Sequence, residues 1–295
     1  MANYSIKDVE KLSGIKAHTL RIWEKRYRII EPKRTGTNIR YYTDKDLKKI
    51  LNVSILNRHG IKISKIAALK NNHINEKVLQ VIQEANDYNT QIENLVLSMI
   101  EFNEEKFDKV ITKLIINMGF EESIVKVIYP FFEKIGYLWQ TETINPGQEH
   151  FVSNLVRQKL LSAVDNLISE PNNERKTYLL FLPEGELHEI GLLFLHYMLR
   201  KRGHETLYLG QTLPFEDLVK VCELKTVESI ITYFTNAFHD GKEVKEYILK
   251  LSSSFPEKTI FLSGKQLTWV EKDDKLPKNI IIVSDPSHFV ELIAK

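Results

Sequence analysis

The spacing of apolar positions changes twice along this chain, and each change predicts a change of architecture. Over the first 75 residues the apolar stripes are short. Ser5 precedes Ile-Lys-Asp-Val-Glu-Lys-Leu with Asp8 three positions on, a capping pattern for a helix that Gly14 closes. After a turn, Leu20, Trp23 and Tyr27 fall at spacings of three and four on one face of a second helix, so both aromatics belong to a core. Arg21, Lys25, Arg26 and Arg28 occupy its other faces. Two short helices across a glycine turn, the second basic, predict a helix-turn-helix. Thr35-Gly36-Thr37-Asn38 then leads into β-prone Ile39-Arg40-Tyr41-Tyr42, which predicts a small hairpin or wing. Thr43 with Asp46 starts the next helix, Gly60 ends it, another short helix follows, and the polar residues 71–76 read as a linker.

From 76 to 169 strand signals are absent, and apolar-periodic segments at 76–99, 104–118, 121–138 and about 147–168 predict a four-helix bundle. A second polar linker is expected at 170–176. Beyond it, short β-rich runs at 177–182, 205–209, 229–234, 259–263 and 279–283 alternate with helical stretches, the pattern of an open parallel sheet with helices on both faces. The expected fold is thus multidomain, α and α/β. It comprises a winged helix-turn-helix head over 1–75, a helical bundle over 76–170 and a Rossmann-like, flavodoxin-like domain over 176–295. Such sheets bind ligands at the carboxyl ends of their strands, near the switch in strand order.

Composition narrows the function. With 43% apolar and 27% charged residues the chain is ordinary globular material, and no run approaches a membrane span or a secretory signal. A cytoplasmic protein without a membrane partner is expected. The single cysteine, Cys222, excludes an intrachain disulfide framework and a Cys-rich metal site. The net charge of +2 conceals an asymmetry: residues 1–75 hold 17 basic and 6 acidic side chains, the remainder 24 and 33. A basic head on an acidic body points to nucleic acid at one end. A solvated lysine-rich surface would give the same count, and the lysines of 45–65 are read that way. In the second helix Thr19, Arg21 and Arg26 are the candidate base or phosphate contacts, with His18 a weaker one. In the wing, Lys33, Arg34, Arg40 and Tyr41 would contact phosphates of double-stranded DNA.

Two motifs carry candidate chemistry. After the first strand of the sheet, Glu186-x-His188-x-x-Gly191 opens an expected amphipathic helix, where a histidine can ligate a metal through one ring nitrogen while an acid holds the other. In the bundle, Trp139 is followed after nine residues by Glu149-His150. A tryptophan there supplies a flat wall for a large planar ligand, and the polar pair orients it. The plainer readings are a histidine solvating a helix start and a core tryptophan beside a surface pair. His196, His204, His239 and His288 read as structural. Nucleophile elbows, Walker loops and zinc-protease motifs are missing from the sequence, so no catalytic residue is assigned and a non-enzyme is expected.

With these residues in view, the chain resembles a known family over nearly its whole length. SIKDVEKLSGIKAHTLRIWEKRY and the later IRYY look like the winged helix-turn-helix of MerR-type regulators. The W-x9-E-H and E-x-H-x-x-G elements resemble a cobalamin-binding module with a helical cap, and together they are similar to the CarH/LitR group of adenosylcobalamin-dependent photoreceptor regulators. The resemblance implies that His188 is the lower axial ligand of cobalt, displacing the dimethylbenzimidazole tail. It also places Trp139 over the upper face near the adenosyl group, with Glu149 and His150 at that group's polar edge. Glu186, Gly191, Thr232 and Gly264 complete the implied cofactor-binding set. A dark homo-oligomer, dimer to tetramer, on operator DNA and its release by light are likewise implied. Three positions depart from the family pattern: Gln140 where a second histidine follows the cap tryptophan, Phe234 in the Thr232–Phe234 element, and Ser263-Gly264 for a Gly-Gly pair. Two alternatives stay open, a MerR-type regulator whose pocket is degenerate or light-independent, and a corrinoid methyl-transfer component.

Overall fold

The computed structural model describes residues 3–35, 38–84, 88–140, 144–168, 174–270 and 276–293. It divides into two compact units, 1–154 and 155–295. The first opens with β1 (Asn3–Tyr4), α1 (Ile6–Ser13), α2 (Ala17–Tyr27), β2 (Lys33–Arg34), β3 (Arg40–Thr43), α3 (Asp44–Arg58) and α4 (Ile63–Ala67). The strands form an antiparallel sheet in the order β1-β3-β2. Both expected capping boxes form: Ser5 with Asp8 starts α1, and Thr43 with Asp46 starts α3. Gly14 ends α1 at φ +70°, a left-handed conformation that glycine adopts without a Cβ penalty. Strand β1 was not expected. Two residues carry no readable period, and pairing of Tyr4 with Tyr42 creates it. Leu12, Leu20 and Tyr42 are fully buried and Trp23 nearly so, whereas Tyr27 is half-exposed.

Five longer helices follow: α5 (Asn71–Glu84), α6 (Tyr88–Ile100), α7 (Glu104–Met118), α9 (Tyr129–Gln140) and α10 (Pro146–Asp165), with α8 (Phe120–Ser123) a short one before α9. Residues 71–76 are therefore not a linker. They begin α5, because Ile74 and Val78, four apart, bury one face and leave His73, Asn75 and Glu76 outside. The segment expected as one helix at 76–99 is two, and residues 85–87 between them lie outside the described set. In α6 every residue from Thr90 to Met99 is buried, which marks it as the central helix. Between α8 and α9, residues Ile124–Ile128 form a π-helical turn just before Pro130, whose ring removes a backbone donor from the ladder.

The second unit carries β4 (Thr177–Pro183), β5 (Glu205–Leu213), β6 (Ser229–Tyr233), β7 (Thr259–Ser263) and β8 (Ile280–Ile282). All pairs are parallel, in the order β5-β4-β6-β7-β8. The five expected strands are thus present, and the order is that of a flavodoxin-like sheet with its switch between β4 and β6. On one face Leu179, Ile230, Ile260 and Leu262 pack with Leu218 of α12 (Phe215–Leu224) and with Val244, Ile248 and Leu251 of α13 (Gly241–Ser254). Helix α11 (Ile190–Lys201) lies on β4, β5 and β6. It is not amphipathic as expected, since Leu192 through Leu199 are all buried. Each fully buried leucine there stabilises the unit by roughly 1.5–3 kcal/mol. Helix α14 (Pro286–Ile293) closes the chain. Residues 170–173 of the expected second linker lie outside the described set.

Candidate functional site

The loop from β4 to α11 is built around Glu186, a carboxylate with no solvent exposure. One oxygen, Oε1, lies 2.6 Å from Nδ1 of His188 and accepts the His188 backbone N–H at 3.0 Å. The other, Oε2, accepts the backbone N–H groups of Thr235 at 2.7 Å and Asn236 at 2.6 Å, just past the end of β6. Burial alone would raise this carboxyl's pKa. The hydrogen bonds from the His188 ring and from the backbones of Asn236, His188 and Thr235 overcome that and hold it at about 2. The carboxylate engages Nδ1, so Nε2 is the ring nitrogen left for a metal, and the side chain is 56% exposed.

The loop is buttressed from both sides. Gln211 donates to the Leu187 carbonyl at 2.7 Å, the Gly185 N–H donates to Thr212 Oγ1 at 3.0 Å, and the Thr212 N–H donates to the Glu186 carbonyl at 3.3 Å. Glu189, next to His188 and buried, pairs with Arg157 and accepts the Tyr208 phenol at 2.7 Å. Burial and that bond push the Tyr208 phenol pKa upward. None of Arg157, Glu189, Tyr208, Gln211 and Thr212 was picked out by sequence motif. Their roles depend on which strand lies beside β4, and the backbone donors of Thr235 and Asn236 are independent of residue type.

Of the remaining implied residues, Gly191 lies three positions after His188, at the start of α11. A Cβ placed on it would stand 2.6 Å from Cε1 and 2.8 Å from Cζ of Tyr233, so the tyrosine ring already fills the space over this glycine. Thr232 precedes Tyr233 on β6 and, by strand alternation, faces the opposite side, with Ile230. Its Oγ1 is fully buried and has no hydrogen-bond partner among the described residues. Gly264, at φ +113°, abuts the backbone of Phe234: a Cβ there would be 2.5 Å from the Phe234 carbonyl oxygen. That close approach serves the chain itself.

Trp139 and Gln140 end α9, and their side chains lie outside the described set. Asn145 caps α10 through its Oδ1, which accepts the Gly147 N–H at 2.7 Å, and Pro146 takes the first helical position. This start sets Glu149, half-buried and accepting from Ser153 at 2.5 Å, and the exposed His150 on the first turns.

In the head, Arg21 and Arg26 are exposed on α2, Arg26 resting 5.4 Å from the Tyr27 ring centroid, and Thr19 Oγ1 is 3.3 Å from His18 Nε2. Lys33 and Arg34 are exposed on β2, with Arg34 donating to Asn38 Oδ1 at 2.7 Å. Tyr41 is half-exposed on β3, and the wing-tip residues 36–37 lie outside the described set. Arg40 is held by Glu24 of α2 at 3.1 Å, a partner the sequence pattern did not suggest.

Residues 4–72 match the family described as MerR HTH family regulatory protein, and residues 91–161 match the B12 binding domain. The chain is 26% identical over 259 residues to the HTH-type transcriptional repressor CarH of Myxococcus xanthus, covering 86% of this chain and 85% of that protein. It is also 26% identical over 259 residues to the HTH-type transcriptional repressor CarA of the same organism, covering 85% and 84%. Among solved structures, the monomethylamine corrinoid protein of Methanosarcina barkeri superposes with a TM-score of 0.53 at 15% identity, over 71% of this chain and all of that one, a likeness of fold. A MerR-type segment and a B12-binding-type segment are therefore joined in a chain similar to CarH over most of its length.

Proposed function

We propose that this chain is a DNA-binding transcriptional regulator, a repressor by its likeness to CarH, whose carboxyl-terminal unit binds a cobalamin with His188 as ligand to cobalt. The Glu186–His188 dyad at the carboxyl end of β4, beside the switch in strand order, is the observation that carries this reading. One imidazole supplies one coordination bond. It suits a metal whose other positions are already filled by a chelating ring, and a buried carboxylate on Nδ1 is the usual partner of such a ligand. When bound, adenosylcobalamin would supply a cobalt–carbon bond that light cleaves. Glu186 would position the imidazole, and Gly191, Trp139, Glu149, His150, Thr232 and Gly264 are assigned to the cofactor by resemblance.

DNA would be met by Thr19, Arg21 and Arg26 of α2 and by Lys33, Arg34, Arg40 and Tyr41 of the wing. One small head binds weakly, so a homo-oligomer, dimer to tetramer, would gain affinity by presenting several heads at once. Cofactor that binds one assembly state better shifts the population toward it. No residue is assigned a catalytic role, and the protein would act in the cytoplasm, where its DNA is. A second reading, in which the pocket works without light or has lost its cofactor, is favoured by the Tyr233 ring on Gly191 and by Gln140 after the cap tryptophan.

Gel filtration of the wild type and His188→Ala with adenosylcobalamin, in the dark and after green light, tests the reading. Co-elution of the corrin with the wild type, its loss in the variant, and a light-dependent change of oligomeric state are expected. Wild type that emerges colourless would overturn it in favour of the second reading. DNA affinity should fall steeply with salt as phosphate counterions return.

A further inference from the structure

At the β4/β6 switch the loop that carries His188 is bonded to β5, and one aromatic ring occupies the space between the start of α11 and the end of β6. On the β5 side, Gln211 and Thr212 bond to the loop at Leu187, Gly185 and Glu186. On the β6 side, Tyr233, the last residue of the strand, sets its ring against Gly191 at the start of α11. The nucleotide tail of a corrinoid held at His188 would need room beside the loop, and the gap between the start of α11 and the end of β6 is the place the sheet offers for it. This is the volume the phenol fills, tightly enough that Gly191 has no room for even a methyl group.

We propose that Tyr233 is a specificity-determining residue that obstructs the nucleotide tail of a corrinoid, so that the site takes a tailless corrinoid in preference to a complete cobalamin. This rests on the corrinoid reading above. Position 233 points toward α11 because side chains alternate along β6, so its size sets the width of the gap directly. A small residue would leave the gap open. A tyrosine must leave its packed position before a second aromatic group can enter, and that displacement falls on the tail-bearing ligand alone. The Glu186–His188 dyad is common to both ligands, so it does not discriminate between them.

Full-length wild type, Tyr233→Ala and Tyr233→Phe are titrated with aquocobinamide, which lacks the tail, and with hydroxocobalamin, following the corrin absorption and retention on gel filtration. Wild type is expected to bind aquocobinamide on the order of tenfold more tightly. Tyr233→Ala should abolish the preference, and Tyr233→Phe should keep it, since the ring and not the hydroxyl obstructs. Wild type that binds hydroxocobalamin as tightly as aquocobinamide overturns the proposal whatever the variants do, and leaves the corrinoid reading standing. If neither ligand binds any of the three proteins, the corrinoid reading falls and takes the obstruction with it.

Discussion

Glu24 of α2 accepts from Arg40 of β3 at 3.1 Å and also from the Tyr42 phenol, so a single carboxylate, 9% exposed, ties this strand to the helix. Burial, then the bond to Glu24, raises the Tyr42 phenol pKa, which keeps it a donor. Arg40 therefore has a structural duty in joining β3 to α2, whereas the bond of Arg34 to Asn38 stays within its own hairpin. Replacing Lys33 or Arg34 by alanine should reduce the slope of log affinity for DNA against log salt by about 0.9 for each phosphate left unneutralised. Arg40→Ala should change that slope less and lower stability more. Glu24→Ala leaves two donors without their acceptor and should cost about 1–3 kcal/mol, read from denaturant midpoints.

Glu186 makes the stability of the second unit depend on pH in a defined window. Its folded pKa of about 2 lies below the ordinary 4.5, so its contribution is complete above 4.5 and is lost as the pH falls from there toward 2. Glu186→Gln removes the charge and presents an amide N–H₂ to groups that are themselves donors. A loss of about 1–3 kcal/mol at neutral pH is expected, with a flatter acid limb in urea melts. The same substitution frees the His188 ring to turn. Corrinoid affinity should drop roughly 10–100-fold while the His188 side chain itself is intact. An unchanged affinity would remove Glu186 from its positioning role.

The difference between what could and could not be read from the chain lies in the range of the interactions. Ser5 with Asp8 and Thr43 with Asp46 act within one helical turn, so their spacing in sequence is their spacing in space. The strands were legible because mainly apolar, β-prone runs of five or six residues bounded by turn residues have few other uses. Glu186 and His188 were legible for the same reason as the capping pairs, being two apart. The bonds of Glu24 with Arg40 and of Glu186 with Thr235 and Asn236 span 16 to 50 positions. Backbone donors have no residue signature, and Tyr233 on Gly191 follows only once β6 is known to lie beside β4. Residues 71–76 have the polarity of a linker, yet two buried side chains, Ile74 and Val78, suffice to recruit them into α5.

His196 introduces a second and separate acid sensitivity. It lies in the buried stretch of α11 with its ring centroid 5.0 Å from that of Tyr208, and its Nδ1 is buried without a partner among the described residues. Burial, helped by the charge of Arg200, pushes its pKa from 6.5 down to about 4. The ring is neutral in the fold, and the unfolded chain protonates first. Stability should therefore be unaffected above pH 6.5 and decline as the pH falls toward 4, by roughly 1–2 kcal/mol at pH 5. His196→Phe should flatten urea midpoints between pH 7 and 5 and leave the Glu186 limb below 4.5 in place. A variant that keeps the wild-type slope would assign that window to another group.

Gly191 and Tyr233 should be coupled whether or not any ligand binds. Gly191 sits in the first turn of α11 in ordinary helical backbone, so alanine there would be favoured by about 0.5–1 kcal/mol on propensity alone. Its methyl group would nonetheless lie 2.6 Å from the Tyr233 ring, well inside van der Waals distance. Gly191→Ala is expected to destabilise the wild type by about 1–3 kcal/mol, the cost of forcing a packed ring aside. In the Tyr233→Ala background the same change should be neutral or stabilising. Denaturant midpoints of the four proteins complete a double-mutant cycle, and the non-additivity measures how firmly the ring is held. Additive effects would mean that the ring swings away at no cost. An obstruction that moves freely could not discriminate between a corrinoid with a tail and one without.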